Sequence, residues 1–292
     1  MAKSDYIGRF APSPTGMLHM GSLVTAMASY CDAKSHKGEW IVRIEDLDPP
    51  RENKGASNNI LDCLEDYGFE FSQNITFQSH HHRQLAYDKA IVILSELGAI
   101  YYCACSRSEL KTKSIENHTC RNIINKPNKP YSIKIKVPDI DISFKDQIQG
   151  TYIKNLLYDC GDFVIKRKDQ LFAYQIAVVV DDDYQNISNI VRGIDLIEST
   201  PWQIYLNKLL GFKQATYAHL PILINSQGQK LSKQTFAKEI DNRNIIETLL
   251  TAYSYLNQKE FSTRPKNISA FWNHAINNWN LNKILKIESI EV

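Results

Sequence analysis

The opening Met-Ala-Lys-Ser-Asp-Tyr-Ile-Gly-Arg-Phe has no apolar stretch of the kind that directs export. Later aliphatic runs, such as Ile91 to Leu94 and Ile176 to Val180, fall far short of the ~20 residues needed to span a bilayer. An excess of one charge is missing too: 34 Lys and Arg face 32 Asp and Glu, a formal net charge of +2. That balance neither demands nor excludes nucleic acid, so a nucleic-acid face would need local clustering of positive charge. Internal repeats and low-complexity tracts are absent. Six cysteines are present, unevenly spaced. Without export they sit in a reducing compartment, which argues against a disulfide framework. The expectation is a cytoplasmic protein with no membrane contact.

What is present is close to an average soluble protein. At 292 residues, 43% of them hydrophobic, the chain can bury a core without disulfides or metal. Tyr6 to Phe10 reads as a short strand, then Ala-Pro-Ser-Pro-Thr-Gly cannot be helix interior. Leu23 to Ala33 has helical character, and Trp40 to Ile44 alternates as a second strand. Ser57 to Tyr67 and Leu85 to Leu97 are predicted helices, and Ile100 to Tyr102 a strand. This alternation implies an α/β protein with a parallel sheet covered on both faces. Ser106 to Glu109 carries a capping-box signature. Ile133 to Val137 and Phe163 to Lys166 alternate like antiparallel strands with one wet face. Phe172 to Val180 and Ile190-Val191 read as buried strand. Thr200-Pro201-Trp202-Gln203 reads as a capped helix start with a capping-box glutamine, and Gly211 as that helix's end. Helical segments are expected around Ile245 to Leu256 and Phe271 to Leu285. The expected organisation is 1–102 for the first half of a nucleotide-binding α/β domain and 103–168 for an α+β insertion. The second half, with a lysine loop, takes 169–240, and a short helical segment takes 241–292.

Three segments carry the chemistry. In Arg9-Phe10-Ala11-Pro12-Ser13-Pro14-Thr15-Gly16-Met17-Leu18-His19-Met20-Gly21-Ser22, a strand runs through a stiff turn into a helix. The helix's free N–H groups and dipole make a phosphate site. Gly21 lets a nucleotide approach the backbone, and His19 can donate to charge developing on a phosphoryl group. Lys230-Leu231-Ser232-Lys233 follows the turn at Asn225 to Gly228 and could clamp phosphates. Taken singly, a capped turn and a solvated basic loop explain these two segments. Arg43-Ile44-Glu45-Asp46-Leu47-Asp48 places carboxylates at the C-terminal edge of a sheet, where α/β proteins bind ligands.

Together, in this order, the first two segments resemble the paired signatures of class I aminoacyl-tRNA synthetases. The acidic segment, and Val178-Val179-Val180-Asp181-Asp182 ahead of Arg192-Gly193, are similar to glutamyl-tRNA synthetases over most of residues 5 to 235. Pro49-Pro50-Arg51, Ile194 to Pro201, Gln234 and the end of the sequence at Val292 narrow the likeness further. They resemble the glutamyl-queuosine tRNA(Asp) synthetases, a shortened branch without the large anticodon-binding half. The resemblance implies a class I synthetase-type Rossmann-like sheet and an ATP-dependent ligase. Such an enzyme activates L-glutamate as its adenylate and passes it to queuosine in tRNA(Asp). A truncated synthetase acting on a tRNA acceptor end, an inactive tRNA-binding regulator and a small nucleotidyltransferase are the rival readings. A monomer is expected.

The same resemblance implies the site. ATP, with magnesium bridging its phosphates, falls to His19, Gly21, Ser22, Lys230, Ser232 and Lys233, with His19 and Lys233 catalytic. Glutamate falls to Arg9, Phe10, Ala11, Pro12, Ser13, Glu45, Tyr174 and Arg192. Glu45 suits the ammonium and an arginine suits a carboxylate; which arginine takes which carboxylate stays open. Glu45 paired with Arg43 or Arg51 on the surface, and Tyr174 as ordinary core, are the alternatives. Cys103, Cys105 and Cys120 supply three ligands toward a four-ligand zinc site. The family pattern puts a tyrosine where this chain has Glu116, so the fourth ligand is Glu116 or His118, or the thiols are metal-free. His80-His81-His82 reads as a helix start or surface. Lys111, Lys113, Lys126, Lys129, Lys134 and Lys136 could track an RNA backbone or form a solvated face.

Overall fold

The structure is a computed structural model that describes residues 5–111, 119–122, 125–231, 239–240 and 242–292. In chain order its first elements are β1 (Ile7–Phe10), α1 (Met20–Ser35), β2 (Glu39–Ile44), α2 (Ala56–Asp66), β3 (Thr76–Phe77), α3 (His81–Glu96), β4 (Ile100–Cys103) and α4 (Arg107–Lys111). Next come β5 (Ser132–Ile135), β6 (Asp141–Asp146), β7 (Gly150–Asn155), β8 (Phe163–Lys166), α5 (Tyr174–Tyr184) and β9 (Asn189–Gly193). The last are α6 (Thr200–Leu210), β10 (Thr216–Leu220), β11 (Ile222–Ile224), α7 (Ile245–Ser254), α8 (Ile268–Asn277) and β12 (Ser289–Glu291).

A seven-stranded sheet in the order β3-β2-β1-β9-β10-β6-β7 forms the centre. Its pairings are parallel except for the β6–β7 hairpin. From β1 the chain crosses to β2 on one side, and β9 later docks on the other. The C-terminal ends of β1 and β9 therefore flank a switch in strand order, where open α/β sheets leave a crevice for ligands. One cluster of buried residues packs α1, α2, α7 and α8 on one face, around Leu23, Met27, Trp40, Leu64, Leu249 and Phe271. The other packs α3, α5 and α6 around Tyr87, Ile176, Val180 and Leu206. Among the described residues, no helix is long and apolar enough to cross a membrane.

β4, β5 and β8 form a separate antiparallel sheet. The capping box appears as read: Ser106 N–H donates to Glu109 at 2.6 Å, and Glu109 N–H to the Ser106 hydroxyl at 3.3 Å. Three readings are corrected. Tyr174–Tyr184 is a helix, not a strand. Its apolar run is buried on every side, and a fully buried run shows neither a period of two nor one of 3.6. Gln203 does not cap α6 but donates to Gln175 at 2.9 Å, and Thr200 lies inside the helix with its hydroxyl turned to Arg192. Lys134 is buried in the small sheet, which removes it from any solvated or RNA-facing stripe. Gly211 does end α6, with φ 70°.

Candidate active site

Between β1 and α1 the chain turns through its prolines and is pinned to the segment after β2. Glu45 N–H donates to Pro12 O at 3.0 Å, and Asn53 N–H to Pro14 O at 3.0 Å. His19 is the N-cap of α1; its Nδ1 accepts from Ser22 N–H at 3.3 Å, and Ser22 Oγ lies 3.0 Å from its Nε2. The histidine thus caps its own helix while standing at the helix's positive end. A Cβ on Gly21 would lie 3.2 Å from the imidazole and 3.6 Å from Leu231 O, so glycine is what lets these backbones approach. Leu231 begins the lysine loop. At the loop's far edge Glu239 bridges His19, and Ile240 N–H donates to Leu18 O at 3.2 Å. Both edges of the loop therefore sit against the His-x-Gly turn. Ser232 and Lys233 lie outside the described residues. Lys230 is salt-bridged to Asp195 at 2.5 Å.

At the neighbouring strand ends lies a buried ionic cluster. Arg43 is fully buried, with Nη1 at 2.8 Å from Asp182, Nη2 at 3.2 Å from Glu45 and Nη1 also donating to Gln185 at 2.6 Å. Arg9 reaches Asp182 through Nε and Nη2, at 3.3 and 3.5 Å. Asp181, wholly buried, accepts from Arg83, Gln78 and Tyr87, each at 2.7 Å. Burial alone would raise the Asp182 carboxyl, but Arg9 and Arg43 outweigh it and hold the group below the usual carboxylate range. Glu45 goes the other way: its burial exceeds the help from Arg43 and Arg9, and its pKa is raised.

Arg192 is the exception. Its Nε donates to His219 Nε2 at 3.1 Å and its Nη2 to Thr200 Oγ1 at 2.8 Å and Leu196 O at 3.4 Å. Its Nη1 has the Tyr174 hydroxyl at 3.4 Å, and its guanidinium lies 5.4 Å from the Tyr217 ring centre. Among the described residues, every one of these partners is neutral. A guanidinium 4% exposed, with no carboxylate among these partners, is suited to an anion.

A cavity of about 510 Å³ opens beside this cluster, lined by Ser13, Thr15, Glu45, Leu47, Asp48, Arg51, Glu52, Gln78, Arg167, Phe172, Ala173 and Tyr174. Arg192 lies one hydrogen bond behind Tyr174. At the lip, Arg167 salt-bridges Asp48 at 3.2 Å and Asp169 at 2.6 Å, and Arg51 also bonds Asp48.

Of the residues named from sequence, Ser13, Glu45 and Tyr174 line this cavity, and Arg9 and Arg192 lie close enough to act on the Tyr174 hydroxyl; His19, Gly21 and Ser22 stand at the start of α1. Phe10 points elsewhere: its ring stacks on Trp40 in the core, centres 6.3 Å apart. Glu45 does pair with Arg43, inside the protein rather than on its surface, while Arg51 pairs with Asp48. The sequence reading missed Asp146, His219, Arg167 and Phe172. Arg43 had a signal, since residues 43 and 45 share one face of a strand; the others had none without the fold.

The three cysteines also meet. The Sγ atoms of Cys103, Cys105 and Cys120 lie within 4.8 Å of one another, with Cys105 and Cys120 at 3.4 Å. Tetrahedral zinc with bonds of about 2.3 Å sets its thiolates at comparable separations, so three corners fit. Burial and the adjacent thiols push Cys105 up to about 11. Glu116 and His118 lie outside the described residues. His80 caps α3, with His81 and His82 exposed in its first turn, and among the described residues they join no metal-like group.

The crevice, the helix-start turn and the residues flanking the lysine loop, which meet that turn, form a class I synthetase core. The model of the class I tRNA synthetases (E and Q), catalytic domain, matches residues 7–248, and the chain belongs to that family. A glutamyl-Q tRNA(Asp) synthetase of Neisseria meningitidis serogroup C is 45% identical over 293 residues, covering 96% of this chain and 98% of that protein. One of Acinetobacter baylyi is 43% identical over 281 residues, covering 96% and 94%. The crystal structure of a glutamate tRNA ligase from Elizabethkingia meningosepticum, in complex with its amino acid, shares the fold with a TM-score of 0.79 at 24% identity. That match covers 98% of this chain and 66% of the ligase.

Proposed function

We propose that this chain activates L-glutamate with ATP as glutamyl-adenylate and transfers it to the queuosine base of tRNA(Asp). The observation that carries the reading is Arg192: a buried guanidinium with neutral partners, on the Tyr174 hydroxyl that Glu45 and Arg9 also act on. Glutamate has two carboxylates and one ammonium. Nη1 of Arg192, held only by a long bond to Tyr174, takes a substrate carboxylate, and Glu45 takes the ammonium. Burial raises the Tyr174 hydroxyl, which keeps its proton for hydrogen bonding. Arg9 spends Nε and Nη2 on Asp182, leaving Nη1 for the other carboxylate.

The α-carboxylate attacks the α-phosphate of ATP, a carboxyl–phosphorus bond forms and pyrophosphate leaves. The enzyme supplies alignment and charge stabilisation rather than a nucleophile. His19, the N–H groups at Gly21-Ser22 and Lys233 serve the phosphates, and magnesium brought with the nucleotide would add neutralising charge there. The acceptor rests on the names of near-full-length relatives. Cys103, Cys105 and Cys120 hold a structural zinc with a fourth ligand from Glu116 or His118, and the protein acts in the cytoplasm.

The test is transfer of labelled glutamate with ATP to tRNA(Asp) carrying or lacking queuosine, with tRNA(Glu) alongside. Label on queuosine-containing tRNA(Asp) alone is expected. Label on tRNA(Glu) would assign an acceptor-end synthetase instead, and no adenylate under any condition would leave only a tRNA-binding role.

A further inference from the structure

Behind Arg192 lies a pair that the proposed reaction does not use. His219, on β10, and Asp146, at the end of β6, are 0% and 1% exposed. Neither touches the cavity. The imidazole stands between them and the arginine: Nδ1 is 2.6 Å from Asp146 Oδ2, and Nε2 is 3.1 Å from Arg192 Nε.

A guanidinium has no acceptor, so Nε2 must offer its lone pair and the ring proton must sit on Nδ1, toward Asp146. We infer that Asp146 and His219 are positioning residues that fix Arg192 for its anionic ligand by locking the imidazole in the Nδ1–H tautomer. The carboxylate is itself pinned. Its Oδ1 accepts the backbone N–H groups of His219 at 3.2 Å, Ile148 at 3.0 Å and Gln149 at 2.9 Å. The charges facing the ring are Asp146 on one edge and Arg192 on the other, with Arg9 beyond; Tyr217 stacks on it with centres 6.1 Å apart. Burial keeps the imidazole below its usual pKa, and Arg192 adds to that despite Asp146.

The arrangement separates two jobs. A carboxylate in direct contact with Arg192 would cancel the charge the ligand needs. With a neutral imidazole between them, Asp146 orients the guanidinium through hydrogen bonds and leaves Nη1, which meets the Tyr174 hydroxyl of the cavity wall, without a carboxylate. The ligand's identity rests on the glutamate reading above; the relay itself does not.

Asp146→Asn tests it with little change in shape. The asparagine Oδ1 keeps the three backbone bonds, but its Nδ2 now donates to Nδ1. The ring proton moves to Nε2, where it opposes Arg192 Nε–H. The expected result is a rise in the dissociation constant for glutamate of about tenfold or more, with ATP affinity unchanged. Nitrogen-15 spectra of the ring should show Nδ1–H in the wild type and Nε2–H in the variant. His219→Gln, which offers one donor and one acceptor, should keep glutamate affinity well above that of His219→Leu. A wild-type Nε2–H tautomer, wild-type glutamate affinity in a folded Asp146→Asn, or equal losses in the two His219 variants would each overturn the relay. Should Asp146→Asn not fold, the wild-type spectrum and the His219 pair still decide. If the wild type binds no glutamate, the functional reading falls, and the spectrum judges the relay on its own.

Discussion

Glu45 lines the cavity and Arg192 stands behind Tyr174 in its wall, and the environments of the two are opposed. The arginine is buried among neutral groups and needs an anion; the carboxylate is buried strongly enough that its pKa rises despite Arg43 beside it. Arg192→Lys keeps the charge but loses the fork that spans His219, Thr200 and Tyr174. Glutamate affinity should drop about tenfold or more, with ATP affinity retained, as read by calorimetry. Glu45 predicts a pH dependence. As pH falls through its raised pKa the carboxyl takes a proton and no longer neutralises the substrate ammonium. Glutamate binding should therefore weaken on the acid side of neutrality, and Glu45→Gln should bind weakly with a flatter profile. An unchanged profile in the variant would remove Glu45 from the ammonium role. For stability the signs differ between the two carboxyls. Asp182, held low, contributes stability that is present above the usual aspartate range and lost as pH falls through its folded pKa. Glu45, raised, favours the fold when protonated and opposes it as pH rises through its folded pKa.

At the scale of elements, α5 holds the site together from below. It supplies Tyr174 to the cavity, Asp182 to Arg9 and Arg43, and Asp181 to Arg83 and Tyr87 of α3. Asp181→Ala leaves Arg83, 3% exposed, without its carboxylate. Loss of a buried pair of this kind costs about 3–5 kcal/mol, measurable as a lowered midpoint in denaturant unfolding. A wild-type midpoint would show that α3 and α5 are held by apolar packing alone. This helix is also the place where sequence reading went astray. Its run from Ile176 to Val180 is apolar all round because both the sheet and two helices cover it, and such a run carries no period. The exposed edges were easier. α1 announces itself by the turn before it, the capping box at Ser106 by its spacing, and α6 by Pro201 and Gly211. The family resemblance named Arg9, Glu45, Tyr174 and Arg192 together, and the fold brings them near one another. His219 and Asp146 were not, because 73 residues separate them and only the parallel pairing of β10 with β6 brings them together. Buried ionic partners are chosen by topology, which no local spacing reveals.

Over the whole molecule, residues from both ends of the catalytic core must serve one triphosphate. The residues that flank the lysine loop, Leu231 and Glu239, meet Gly21 and His19 through their backbones. Lys233→Ala should slow adenylate formation by about 10²-fold with glutamate affinity unchanged; an unchanged rate would discard its phosphate role. The cysteine cluster predicts about one zinc per chain by metal analysis of protein purified without added zinc, lost in Cys105→Ser. A wild-type protein without stoichiometric zinc would remove the metal from the account. The most direct measurement is a crystal structure with a non-hydrolysable glutamyl-adenylate analogue. The prediction is a ligand carboxylate on Nη1 of Arg192, its ammonium on Glu45 and its phosphate-mimicking group at the His19 helix start. A ligand seated elsewhere, with Arg192 still facing only neutral partners, would contradict it.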